Sequence, residues 1–201
     1  IFDSNQAWVL SANGTIFTYD KEGIIPGLLR RWYAERKEMQ ARLRECTNKA
    51  DEEYWDKRQL VKKINLNSLY GAILNPGCRF FDKRIGQSTT LTGRSIARHM
   101  DAYVNECVTG RYDHTGEAII YGDTDSCYFS AWPAIQKEVE SGTMNWDKDI
   151  AIQLYNSIAD QVNTSFPAYM EQAFHCTREL GSVIRGGREI VAIKGLFITK
   201  K

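Results

Sequence analysis

"AIIYGDTDSCYFS", residues 118–130, is the stretch whose reading decides the fold. Apolar runs, Ala118–Ile120 and Cys127–Phe129, flank a polar centre, so the pattern predicts strand, turn, strand. Asp123 and Asp125 stand at i and i+2. Residues so spaced share one face of an extended chain, so the two carboxylates project together if extended backbone continues through the tip. Like charges side by side repel, and a divalent cation removes that cost. Hard carboxylate oxygens suit magnesium, or manganese in its place; these ions keep waters and share substrate phosphates. D-x-D alone is unspecific: a solvated Asp-rich turn also fits, as does the D-x-D with which some sugar-nucleotide transferases hold a metal on a diphosphate.

Upstream lies "KKINLNSLYGAILN", residues 62–75. Lys63, Asn67 and Tyr70 are spaced i, i+4, i+7 and fall on one helix face. A lysine, an amide and a phenol on one face can hold a phosphate tail and pack against a base or sugar. A solvated helix with a buried tyrosine has the same spacing.

The rest of the chain reads as follows. Residues 7–20 predict two short strands around "ANG". Pro26 opens a helix carrying Leu28, Leu29, Trp32, Tyr33, Met39 and Leu43 to about Glu45. After "CTNKADEE" a second helix, with Trp55, Leu60, Ile64, Leu69 and Tyr70, runs to about Leu74, and "NPG" stops it. Residues 87–109 predict another helix. Helix follows again over 147–174, as one piece or as two interrupted at Pro167. "REIVAI" and "GLFIT" near the end predict strands. Helices inserted between strands make an α+β pattern.

The 201 residues are 43% hydrophobic and 25% charged, enough for a real core, and the formal net charge of +1 gives no global field for a polyanion. No apolar run is long enough to span a bilayer, and no signal-peptide pattern opens the chain. The five cysteines are scattered without a C-x-x-C pair, and the three histidines have no metal-binding spacing. The thiols are read as reduced, in a cytoplasmic setting.

Y-G-D-T-D-S, flanked by strands, resembles the C motif of family B (α-like) DNA polymerases, and K-x-x-x-N-S-x-Y-G resembles the B motif of the same family, in the family's order. The resemblance implies a polymerase palm, an antiparallel sheet with packed helices, carrying an inserted antiparallel helical-hairpin fingers subdomain. The expected division is residues 1–24 palm, 25–75 fingers, and 76–201 palm with a catalytic hairpin at 118–131. It implies template-directed addition of deoxynucleotides to a primer 3′ end, with two magnesium ions, or manganese, held at Asp123 and Asp125. Lys63 meets the triphosphate, Asn67 supports it, Tyr70 backs the nascent base pair, and Gly71 lets it come close. "LLRRWYAERKEMQ" (28–40) resembles the first fingers helix, with Arg36 at the triphosphate-binding position; Gln40 stands where many relatives carry lysine, so that role is not carried over. The fingers are expected to rotate to bring the cations in. Tyr121, Gly122 and Thr124 are implied DNA contacts. "GREIVAIKGLFITKK" (187–201) resembles the strands leading to the family's K-K-R-Y segment, which places Lys200 and Lys201 on the primer–template duplex. Glu189 aligns with an acidic residue near the palm site. "SANGTIFTYDKEGIIP" (11–26) is similar to the linker before the fingers in polymerases of T-even-type bacteriophages, which makes an infected bacterial cytoplasm the expected setting.

The family's A motif, D-x-x-S-L-Y-P-S, finds no match; Asp3 is followed by "SNQAWV". The expectation is a piece of a longer polymerase, with the A motif and exonuclease domain upstream and the thumb downstream. Its partners are then primer–template DNA, deoxynucleoside triphosphates and, through the downstream part, a sliding clamp. Two-metal chemistry needs both ions clamped about 3.5–4 Å apart, so the isolated 201 residues are expected not to polymerise. The rival readings are a D-x-D glycosyltransferase, which needs a nucleotide-binding α/β domain before the pair, and a non-catalytic DNA-binding polymerase relative.

Overall fold

The computed structural model describes residues 7–197, which divide into two compact units between Thr90 and Leu91. The expected boundaries at 24/25 and 75/76 both fall inside the first unit.

The first unit opens on the predicted strand pair, β1 (Trp8–Leu10) and β2 (Ile16–Thr18), antiparallel with Val9 opposite Phe17. The turn between them needs a left-handed residue, and Gly14 supplies it at φ +82°. Asn13 ties the turn together. Its Oδ1 accepts from the Ser11 and Ser88 hydroxyls at 2.6 and 2.9 Å, and its amide donates to the Arg84 carbonyl at 3.2 Å.

Two long helices follow, α1 (Ile24–Glu45) and α2 (Lys49–Leu74). Asn48 caps α2 by accepting from the Asp51 N–H, and Asp51 and Glu52 suit the positive end of the helix dipole. Cross-helix partners run antiparallel. Arg36 Nε donates to Gln59 Oε1 at 3.3 Å, Lys62 pairs with Glu35 at 2.5 Å, and the Arg42 guanidinium lies 4.9 Å from the Trp55 ring. This is the predicted helical hairpin. Asn75, Pro76 and Gly77 end α2, with the Gly77 N–H donating to Asn75 Oδ1 at 2.9 Å. Helix α3 (Lys83–Thr109) starts four residues before its expected first residue, because Asp82 Oδ1 accepts the Arg84 N–H at 2.8 Å and so supplies an N-terminal partner.

The second unit contains α3 from Leu91 onward, the hairpin β3 (Ile119–Asp123) and β4 (Ser126–Phe129), then α4 (Trp132–Glu140), α5 (Lys148–Phe174) and the short α6 (Arg178–Gly181). Its core joins Val104 and Val108 of α3, Ile158, Val162 and Phe166 of α5, and Ala118 and Ala131 at the two feet of the hairpin. The four-residue spacing Ile158–Val162–Phe166–Met170–Phe174 lays one apolar stripe along α5. Pro167 does not interrupt this helix, which runs on to a left-handed His175 at φ 51°. The apolar stripe on both sides of the proline outweighs its one lost N–H.

One expectation is corrected. The strands expected in 188–193 and 195–199 do not form among the described residues of 188–197: β3 and β4 pair only with each other, so no ladder is offered, and Ile190, Ile193 and Leu196 stand exposed. The fold is α+β as expected, but the described strands make two separate two-stranded antiparallel sheets. No helix among the described residues is long and apolar enough to cross a membrane.

Candidate active site

Only two residues, Thr124 and Asp125, reverse the chain between β3 and β4. The ladder pairs Tyr121 with Tyr128, Gly122 with Cys127 and Asp123 with Ser126. Thr124 sits at φ 53°, and the Asp125 N–H donates to the Asp123 carbonyl at 2.6 Å, so the reversal is centred on Thr124. A β-branched residue at positive φ is strained, and strain of this kind gathers at functional sites. The Thr124 and Ser126 hydroxyls donate to Asp123 Oδ1 at 3.0 Å and to the Asp123 carbonyl at 3.1 Å. Extended backbone therefore stops at Asp123. Asp125 occupies the turn itself, not the next position on a strand face. Both carboxylates are exposed at the tip. They are the hard oxygen donors that magnesium takes when water and phosphate complete its shell, so the donor chemistry fits. Among the described residues no group of three or more His, Cys, Asp or Glu side chains could hold a metal.

The foot of the hairpin is fixed by Asn105, which is buried on α3. Its amide donates to the Arg111 carbonyl at 2.8 Å, and its Oδ1 accepts from the Ala118 N–H at 3.1 Å. Gly116 passes so close that an added Cβ would collide with this amide. On the face toward α3, the Cys127 thiol meets the Asp101 carboxyl; burial first, then its interaction with that carboxyl and the Asp101 charge, push the thiol far above its ordinary value. Burial raises the Asp101 carboxyl, against the opposing interaction with Cys127 and the His114 charge. On the other face Tyr121, Tyr128 and Phe197 gather with ring centroids 5.5–5.8 Å apart.

In the first unit, Lys63, Asn67 and Gly71 are exposed along α2. Space is open where a Gly71 Cβ would stand. Tyr70 is half-buried and donates its hydroxyl to the Gly86 carbonyl at 3.3 Å. Arg36 is half-buried against Gln59. The first unit thus brings Lys63, Asn67, Tyr70 and Gly71 onto one length of helix, and the second gathers Tyr121, Gly122, Asp123, Thr124 and Asp125 at one hairpin. Glu189 is exposed in the strand-free segment. Lys200 and Lys201 lie outside the described residues.

Beside the core of the second unit a recess of about 260 Å³ is lined by Ser95, Arg98, His99, Tyr112, His114 and Tyr169. Buried His99 stacks on Tyr169, and its ring nitrogens meet the Tyr112 and Ser165 hydroxyls at 2.7 and 2.9 Å.

Sequence reading missed Asp101, Asn105 and Gly116. A signal for the first was present: Asp101 stands three and seven residues before Val104 and Val108, a carboxylate on an apolar stripe. The signal for α4 was Pro133 in the first turn with Ile135 and Val139 four apart.

Comparison with known proteins gives one family. The model of DNA polymerase family B matches residues 5–176. The chain is 36% identical over 108 residues to the DNA polymerase delta catalytic subunit of Oryza sativa subsp. japonica, covering 53% of this chain and 10% of that protein. It is 39% identical over 84 residues to the DNA-directed DNA polymerase of Escherichia phage RB69, covering 41% and 9%. Similarity of this order extends to the DNA polymerase catalytic subunit of Human herpesvirus 8, at 30% over 139 residues, 63% of this chain and 14% of that one. The phage relative is thus one of several. Among solved structures, the family B DNA polymerase of Pyrobaculum calidifontis matches with a TM-score of 0.50 and 25% identity, over 69% of this chain and 18% of that one. The chain spans about a tenth of the length of the curated relatives it matches.

Proposed function

This chain belongs to DNA polymerase family B, and from that membership we propose that it is the nucleotidyl-transfer segment of a replicative DNA-directed DNA polymerase. The observation that carries the proposal is the β3–β4 hairpin, which presents Asp123 and Asp125, exposed, on a tight turn. What supports it further is α2, with Lys63 and Asn67 exposed on the same helix as Tyr70 and Gly71.

The reaction is attack of a primer 3′-hydroxyl on the α-phosphate of a deoxynucleoside triphosphate, with pyrophosphate leaving. Asp123 and Asp125 would hold magnesium ions, or manganese. When bound, such ions lower the pKa of the attacking hydroxyl and balance charge on the leaving phosphates. Lys63 and Arg36 neutralise the triphosphate and stabilise the charge that builds as it breaks. Asn67 supports that contact. Tyr70 backs the base pair, and the absence of a Gly71 side chain leaves room for it. Tyr121, Gly122 and Thr124, with Lys200 and Lys201, contact primer–template DNA; binding through phosphates is salt-sensitive and independent of sequence. Glu189 is assigned to the edge of the same site. A sliding clamp would bind outside these 201 residues, and the setting is the cytoplasm of the cell in which the polymerase replicates DNA. The 201 residues alone do not extend a primer, because no D-x-x-S-L-Y-P-S string is among them to complete the carboxylate set.

The test is primer extension by the longer protein that carries this chain. Asp123→Asn is expected to abolish extension, as is chelation of divalent cations, while primer–template binding by the variant stays near wild type. Extension by Asp123→Asn at a comparable rate overturns the proposal.

A further inference from the structure

The ladder pair one step back from the hairpin tip is Gly122 opposite Cys127, and both face α3. There they meet Asp101. The Cys127 thiol lies against the Asp101 carboxyl, which helps burial to raise it. Asp101 Oδ2 lies 3.4 Å from where a Cβ on Gly122 would stand, so the strand runs close over the carboxyl. The other oxygen, Oδ1, is buried and has no hydrogen-bond partner among the described residues. A buried acceptor left unpaired is destabilising. Its neighbours along the α3 stripe, Val104 and Val108, are apolar and belong to the core. A leucine at 101 would pack on that stripe without the penalty, so stability does not account for the carboxyl; its position under the hairpin does.

We infer that Asp101 is a positioning residue for nucleotidyl transfer: through Cys127 and Gly122 it sets the height and tilt of the β3–β4 hairpin on α3, and so the place at which Asp123 carries its carboxylate. This rests on the reading of Asp123 as a cation ligand. Gly122 is bonded directly to Asp123, and beyond Asp123 the chain reverses at once through Thr124. A displacement at Gly122 therefore reaches the ligand with no intervening segment to absorb it. Asn at position 101 keeps the outline of the side chain and an oxygen to face the thiol; Ala keeps neither.

Two measurements on the longer protein decide the matter, each made on wild type, Asp101→Ala and Asp101→Asn. The first is single-nucleotide incorporation over a magnesium titration. Asp101→Ala is expected to lower kcat by about 10- to 100-fold, the scale of a misplaced catalytic group, and to raise the magnesium concentration needed for half the maximal rate, with the nucleotide KM within about twofold and Asp101→Asn restoring most of the rate. The second is amide hydrogen exchange, which needs no activity. In Asp101→Ala it should accelerate across 119–129 and not in α5. An unchanged kcat and unchanged exchange overturn the inference, and so does acceleration spread evenly through the second unit, which marks a merely structural loss. A wild-type protein that fails to extend a primer overturns the polymerase reading and with it the catalytic half of the inference, while the exchange pattern still decides whether Asp101 seats the hairpin.

Discussion

The Tyr70 hydroxyl donates to the Gly86 carbonyl across the α2–α3 junction. A residue expected to back a base pair is thus tethered from behind, at a glycine buried against Leu74. An added Cβ on Gly86 would collide with the Leu74 side chain. Gly86→Ala is expected to destabilise by about 1–3 kcal/mol through overpacking, and Tyr70→Phe by about 1 kcal/mol through the lost hydrogen bond. Urea unfolding followed by circular dichroism checks both, and a Gly86→Ala midpoint equal to wild type would show that Leu74 moves aside freely.

Lys63 is exposed on α2, without the cross-helix ion pair that holds Lys62 to Glu35. Removing it should act on the substrate and leave the hairpin of helices intact. Lys63→Ala is expected to raise the nucleotide KM of the longer protein by about 10- to 100-fold, the worth of a charge-assisted hydrogen bond of about 1.5–3 kcal/mol. Steady-state incorporation kinetics measure it; a KM that does not move rules out the phosphate contact.

Asn105 and Gly116 form a lock at the foot of the hairpin. Asn105→Ala leaves the buried Ala118 N–H without its acceptor and the Arg111 carbonyl without its donor. The expected loss is about 1–3 kcal/mol for each orphaned group. Thermal unfolding of this variant and of Gly116→Ala should show the same sense of change, and the double variant should lose less than the two singles combined because both break one contact.

His99 gives the second unit a pH dependence. Burial holds its imidazole below the ordinary value of 6.5. Near that value the unfolded chain takes up a proton that the folded chain refuses until lower pH. The unfolded state then carries more protons, so stability rises with pH across the window and is lost as pH falls from 6.5 toward the depressed folded value. Urea midpoints between about pH 5 and 8 should show that slope, and His99→Gln should flatten it. A wild-type midpoint that climbs on acidification through the window would contradict the assignment.

Much of this was legible because local chemistry and tertiary structure agree. "ANG" marked the strand pair, "CTNKADEE" marked a break and a new helix start, and the apolar periodicity of α1 and α2 named the helical hairpin. The tip residues of the β3–β4 hairpin were legible as a string, but the route of the chain through the tip was not: alternation says nothing of a turn that two residues complete at a positive-φ threonine. The 188–197 segment misled for the opposite reason. Its alternating apolar residues satisfy the strand pattern, yet a strand exists only where a neighbour offers a ladder, and pattern does not count neighbours. Asp101 and Cys127 meet across 26 positions of sequence, and no spacing rule connects them.

Helix α1 contains no buried residue, and α2 contains one, Ile73. Charge adds to the half-buried apolar stripe between them: Lys62 to Glu35, Lys62 over Trp32, and Arg42 over Trp55. Such attractions shrink as the Debye length falls from about 10 Å at 0.1 M salt to about 3 Å at 1 M. The apolar core around Phe166 has no comparable sensitivity. Raising the ionic strength therefore weakens the charged contacts between α1 and α2 and leaves the apolar core around Phe166 in place.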